Sequence, residues 1–158
     1  MEVLIMDIPG IRGESQAVGF VGKIDLLAYS HGIVMLVNDS QPGSERTFEG
    51  PKFSDFSVTK RLDSASPLLN LACCTHKDQG TVRIILGRRD QAGNVAPIMI
   101  YELSHVIISM ISVSSGGDGL PVEAVTLNCR QVKWTFAPHQ GIGKPIESGW
   151  NLETNQPL

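Results

Sequence analysis

The 158-residue sequence predicts a mainly β protein: a small β-barrel of two packed antiparallel sheets, one short flanking α-helix and a long extended loop. Three features predict it. Short runs of apolar, β-branched and aromatic residues recur along the chain. Turn residues separate these runs, and one stretch alone carries a helix start followed by helical spacing.

Val3 to Ile8 is apolar and stops at Pro9-Gly10. Residues 23 to 31 partly alternate, and Gly32 lets a second extended run follow from Ile33 to Val37. Residues 53 to 62 are strand-like in their aromatic and β-branched content. Thr81 to Gly87, Ala96 to Ser114 and Val122 to Ala137 continue the pattern. In the last of these, Val125, Leu127 and Cys129 share one face, and Thr126, Asn128 and Arg130 the other. Gly93-Asn94 and Ser115 to Gly119 mark turns. Residues 66–76 are different. Ser66 is placed as the N-cap and Pro67 at the first helical position, and Leu68, Leu69, Leu71 and Ala72 make a stripe for packing on a sheet. Lys77 is expected near the helix end, where the dipole favours a cation. Residues 38–52 are polar, with two prolines and the isolated aromatic Phe48, and are read as the extended loop. With no repeat and no second domain, residues 1–158 read as one unit.

Thirteen Lys and Arg against sixteen Asp and Glu leave a formal charge of −3. That is no basic excess for neutralising phosphates, so nucleic acid is not an expected partner. No apolar run reaches the roughly 20 residues of a membrane helix, and no membrane insertion is expected. The start, MEVLIMD, carries acids instead of a basic region, so it is not read as a signal peptide; synthesis in the cytoplasm is expected, with any export by another route. Cys73 and Cys74 are neighbours and Cys129 is distant, an odd set that suits a reducing compartment.

The chemical candidates are weak. Ala28-Tyr29-Ser30-His31-Gly32 is one residue from a G-x-S-x-G nucleophile elbow, but no helix follows it. Adjacent Ser30 and His31 on a strand also point to opposite faces. Gly141-Ile142-Gly143-Lys144 matches a phosphate loop only in part, since Pro138 and Pro145 stand where a glycine and a Ser/Thr are needed. Cys73, Cys74 and His76 lack a second pair at zinc spacing, so the cysteines read as small core or near-core residues. His105 reads as a structural histidine on an apolar strand, and Glu45 and Glu49 as solvated charges. No catalytic residue, metal or cofactor is expected.

Several stretches together resemble one family, the hemolysin-coregulated protein (Hcp) tube subunits of the bacterial type VI secretion system. They are Gly13-Glu14-Ser15; Ile24 to Gly32; Phe56-Ser57-Val58-Thr59-Lys60 leading to Asp63 and Ser66-Pro67-Leu68-Leu69; Ser114-Ser115-Gly116-Gly117; Glu123 to Asn128; and Gly149-Trp150-Asn151-Leu152. Their order and spacing over nearly the whole chain carry the resemblance, with no match at 38–52. His31 stands where relatives often have a large aromatic, so packing there is expected to differ.

The resemblance implies a homohexameric ring with a wide lumen, stacked into a tube that a contractile sheath drives out of the cell behind a spike protein. Effector proteins ride in the lumen, and the protein is secreted to the medium or a target cell. The chain stops just past the last motif, so no attached toxin is expected. Ala28 and Ser30 share one strand face, with Leu27, Tyr29 and His31 on the other; the small pair is the candidate lumen surface. Within the loop, Gln41, Glu45, Arg46, Phe48 and Glu49 are the candidate inter-ring contacts. A phage tail tube protein and a small β-barrel ligand-binding protein are the alternatives, with a serine hydrolase last.

Overall fold

The computed structural model describes residues 1–39, 43, 45–138 and 143–158. Strands β1 (Glu2–Asp7), β2 (Ile24–Asp25), β3 (Ala28–Ser30), β4 (Ile33–Asn38), β5 (Thr47–Phe53) and β6 (Phe56–Arg61) precede helix α1 (Ser66–Thr75). After it come β7 (Val82–Arg89), β8 (Val95–Ser104), β9 (Ile107–Ser114), β10 (Val122–Asn128), β11 (Gln131–Phe136), β12 (Ile146–Asn151) and β13 (Gln156–Pro157). A seven-stranded sheet has the order β13-β12-β11-β8-β7-β1-β2, and a four-stranded sheet the order β3-β6-β10-β9. β4 and β5 pair with each other as a separate ribbon. All these strand pairings are antiparallel. The mainly β, two-sheet expectation holds, though the sheets do not close into a hydrogen-bonded barrel among the described residues.

The core lies between the two sheets. Met6, Ile24, Ile84 and Leu103 face Phe56, Val58, Val125 and Leu127, and α1 adds Leu69 and Ala72. Fully burying side chains of this size stabilises by about 1.5–3 kcal/mol each, before the entropy of ordering them is subtracted.

The chain crosses from one sheet to the other between Leu26 and Leu27. The Leu26 N–H donates to Leu4 O, and the Leu27 N–H to Thr59 O, at 2.9 and 2.7 Å. The single strand expected over 23–31 is therefore two strands in two sheets. Leu27, expected beside Tyr29 and His31 on the core face, falls on the crossing and is 46% exposed. The long run 96–114 also divides, at a turn where His105 has φ 55° and lies beside Asp78 (Nδ1···Oδ2 3.2 Å). His105 is thus an exposed turn residue, not part of an apolar strand.

The helix starts one residue earlier than expected. Ala65 is the N-cap and Ser66 the first helical residue. The Ser66 hydroxyl cannot cap because it is committed elsewhere, donating to Glu123 Oε1 at 2.5 Å and accepting the Asp63 N–H at 3.1 Å. Asp63 Oδ1 takes the Ala65 N–H instead. The last turn contains no basic residue, because His76 in the left-handed region ends the helix before Lys77. Cys74 is exposed on the outer side of α1, whereas Cys73 is half-buried against the core.

Two resembling motifs have a packing reason for their glycine. A Cβ on Gly13 would meet Lys23 O at 2.6 Å, and one on Gly149 would meet Val132 O at 3.0 Å. The first approach admits only glycine, and the second is tighter than most Cβ contacts.

Candidate assembly surfaces

Alternation along β3, β6 and β10 makes two unlike faces from one sheet. Tyr29, Phe56, Val58, Val125 and Leu127 point to the core. The opposite face carries small side chains in register: Ala28 beside Thr59, Thr59 beside Ala124, and Ala124 beside Ser112. The next row is Ser30, Ser57, Thr126 and Met110. Ala28 and Ser30 are exposed at its edge. Short side chains and hydroxyls give this face a low, weakly polar relief, with no long charged side chain in either row.

The second surface is the β4–β5 ribbon, and here the expected loop over 38–52 needs correction. Thr47–Phe53 is strand, paired to β4 from Ile33↔Phe53 to Asn38↔Thr47. Polar composition concealed it, since Glu49, Gly50, Pro51 and Lys52 are poor strand formers. Among the site residues expected here, Phe48 and Glu49 lie on β5; Glu45 and Arg46 precede it, and all four are exposed. Gln41 lies outside the described residues, as do Gly141 and Ile142 of the phosphate-loop-like stretch.

The ribbon is also far more apolar than its tip suggests. Ile33, Val34, Met35, Leu36 and Val37 are 41–57% exposed, and Phe48 is 60% exposed. Successive residues point to opposite faces, so both faces present hydrocarbon to water. A lone two-stranded ribbon is at best marginally stable, and exposed apolar surface of this extent marks an interface. The terminal strands of the large sheets pose less of a hazard. β2, β3 and β13 have two or three residues, and α1 packs against β9.

The ribbon is rooted in an aromatic cluster. His31 stacks on Phe56 (centroids 5.2 Å, planes 21° apart) and lies 6.1 Å from Trp134, while Phe53 stacks on Trp134 at 6.3 Å. Trp134 Nε1 donates to His31 Nε2 at 3.3 Å, which requires that nitrogen to be unprotonated. Burial lowers the His31 pKa from its ordinary 6.5. The Tyr29 and Tyr101 hydroxyls are 3.0 Å apart. Burial first, then the Tyr29 contact, raises the Tyr101 pKa far above neutrality. Ser54 Oγ closes the root, accepting the Gly32 N–H and donating to its carbonyl at 3.0 and 3.2 Å.

The histidine makes this root sensitive to acid. Its folded pKa lies below the unfolded value, so its contribution is complete above about pH 6.5 and is lost as pH falls through the folded value. Stability should decline between pH 7 and 5, and His31→Phe should flatten that decline. Urea midpoints at the two pH values would show it; equal slopes in both proteins would assign the acid sensitivity elsewhere.

Neither surface is catalytic in its geometry. Ser30 faces outward and His31 inward, so the hydrolase pairing is not formed. Cys129 is half-buried, and burial, followed by the Asp55 charge, pushes its pKa up to about 11, which keeps it a thiol.

One feature escaped the sequence reading. Lys60 is wholly buried, with Nζ 2.7 Å from Glu123 Oε1, 2.8 Å from Asp63 Oδ1 and 2.9 Å from Arg61 O. All three ammonium protons therefore have an acceptor. Lys60 and Glu123 are direct cross-strand partners in β6 and β10, a relation that only the register reveals. Lys60, Asp63, Ser66 and Glu123, drawn from two of the resembling stretches, meet at one buried point.

Comparison with known proteins agrees with this fold. Residues 5–136 match the family model described as "Type VI secretion system effector, Hcp". The chain is 30% identical over 157 residues to Protein hcp1 of Pseudomonas aeruginosa, covering 96% of each. It is similar to a solved structure described as a type six secretion system protein, with TM-score 0.89 and 22% identity over all of both chains. It is also similar to Hcp1 from Salmonella typhimurium, with TM-score 0.81 and 21% identity over 99% of each. A more distant likeness is to a chain of the anti-feeding prophage baseplate, 6-fold symmetrised. The TM-score there is 0.53 and the identity 13%, over 84% of this chain and 91% of that one.

Proposed function

The chain belongs to the Hcp family of type VI secretion system proteins, and from that premise we propose that six copies close into a ring. Rings stack into the inner tube of the secretion machine, and effector proteins are carried in the lumen. The protein acts as a structural tube subunit and carrier, not as an enzyme. It leaves the cell with its cargo, behind a spike protein and driven by a contractile sheath.

The observation that carries this reading is the β4–β5 ribbon, which exposes hydrocarbon on both faces and has no partner strand outside itself among the described residues. Neighbouring copies are the natural cover for such a ribbon. The 6-fold symmetrised baseplate that holds a remote structural neighbour supports the ring size. The small-residue face of β3, β6 and β10 suits a lumen wall, where short side chains leave the bore open. A phage tail tube would share this architecture, but the curated relative is an Hcp protein. A small-ligand protein would be monomeric or dimeric, so the assembly state separates it from the ring.

Native mass spectrometry of the purified protein should show a hexamer as the main species. A monomer that persists at micromolar concentration would count decisively against the ring. Replacing residues 36–49 by a short Gly/Ser turn should leave a cooperative urea transition and a native near-UV spectrum, because this end of the ribbon lies outside the core. The same change should abolish stacking and secretion. If the shortened chain fails to fold, the ribbon belongs to the folding unit.

A further inference from the structure

At one end of the seven-stranded sheet, where β7 and β11 finish and β8 begins, lies a groove of about 480 Å³. Pro97, Ile98 and Phe136 give it an apolar lining, and Arg88 and Arg89 bring positive charge. Phe136 is 45% exposed, and both arginines are exposed. Among the described residues neither arginine has a carboxylate within ion-pairing distance. Two acids lie near them. Glu2 stands opposite Arg88 in the β1–β7 ladder, and Asp90 is engaged in its own turn, accepting the Ala92 and Asn94 N–H groups at 2.9 Å.

The tip of the β4–β5 ribbon has the complementary chemistry. Asp39, Glu45 and Glu49 outnumber Arg46 there, and Phe48 projects with 60% of its surface exposed. Tip and groove also lie at opposite ends of the molecule. From Phe53, stacked on Trp134 near the middle of β11, β5 leads back to Gly50, where a Cβ would lie 3.0 Å from Asn155 Nδ2. Asn155 is in the turn beyond Asn151, at the Gln131↔Asn151 end of the β11–β12 pair; the groove is at the Phe136↔Ile146 end.

Matching surfaces at opposite ends of one chain make a heterologous contact, which repeats head to tail instead of closing a pair. We infer that the ribbon tip of one copy docks in the Arg88–Arg89–Phe136 groove of a copy in the next ring. Phe48 lies on the apolar lining with Glu45 toward the two arginines, and Glu49, on the other face of β5, adds negative charge at the groove's rim. This rests on the ring-and-tube reading above and names the receptor for its inter-ring arm.

Charge exchange tests it. Rings carrying R88E/R89E, and separately rings carrying E45K/E49K, should remain hexamers by native mass spectrometry. Each should stack about tenfold more weakly than wild type in sedimentation velocity, because close interfacial charge pairs become repulsive. The quadruple variant should regain stacking. A photoreactive phenylalanine analogue at position 48 should cross-link to peptides containing residues 88–98 or 134–138, and the product should have the mass of two rings. Charge-reversed rings that stack like wild type, a quadruple no better than either double, or cross-links confined within one ring would overturn the docking. Wild-type protein that forms no ring would overturn the tube reading and the docking with it.

Discussion

Lys60→Met is expected to lower the unfolding free energy by about 3–5 kcal/mol, the cost of leaving buried carboxylates without their cation. In the native protein the ammonium is saturated by Glu123, Asp63 and the Arg61 carbonyl. Ser66 donates its hydroxyl proton to the same Glu123 oxygen. Methionine fills much of the same volume, so a large loss would reflect charge more than a cavity. Lys60→Met/Glu123→Leu should recover part of it, because one stranded carboxylate is removed and the β6–β10 pair becomes apolar. Urea unfolding at one fixed protein concentration measures both, the fixed concentration being required by linkage to assembly. A loss below about 1 kcal/mol for the single variant, the range of exposed ion pairs, would show that water reaches the network in solution.

Ser30→Gln is expected to leave the ring intact and to reduce retention of a co-expressed effector about tenfold, because a small loss at each copy is compounded across the symmetric wall. Ser30 is exposed on β3, in the same row as Ser57 and Thr126. A longer side chain there protrudes from a low wall without touching the core. Labelling gives an independent readout. Cys74 is exposed and would react with a maleimide, so Ser30→Cys belongs in a Cys74→Ser background. The new thiol should be labelled in the assembled ring, and the ring should survive. An unreactive thiol, or a ring that falls apart, would place Ser30 at a subunit boundary instead of the lumen. Labelling of the unsubstituted protein at Ser30 by a fluorophosphonate would revive the hydrolase.

Much of the fold was legible because it is local. Apolar and β-branched runs placed β1, β4 and β7 within two residues. The runs expected over 23–31, 53–62 and 122–137 found β3, β6 and β10, but each also took in part or all of a neighbouring strand. Ser66-Pro67 announced the only helix among the described residues. Alternation alone also set Tyr29 and His31 against Ala28 and Ser30, and the structure keeps that division. β12 and the ribbon strand β5 were not legible. Glu147-Ser148-Gly149 and Glu49-Gly50-Pro51 lack β-branched residues, and their strand geometry comes from the partner across the ladder.

What the sequence determined by itself, then, is the alternation of faces, the turns, the helix and the family pattern, since each depends on neighbours a few residues apart. Tertiary structure decided the rest. It placed Lys60 against Glu123 across a ladder, moved the chain between sheets at Leu26-Leu27, and left the run from Ile33 to Val37 exposed where an apolar run would ordinarily be buried. Such relations join residues distant in sequence, and they follow from strand register and packing, which no short window of residues encodes.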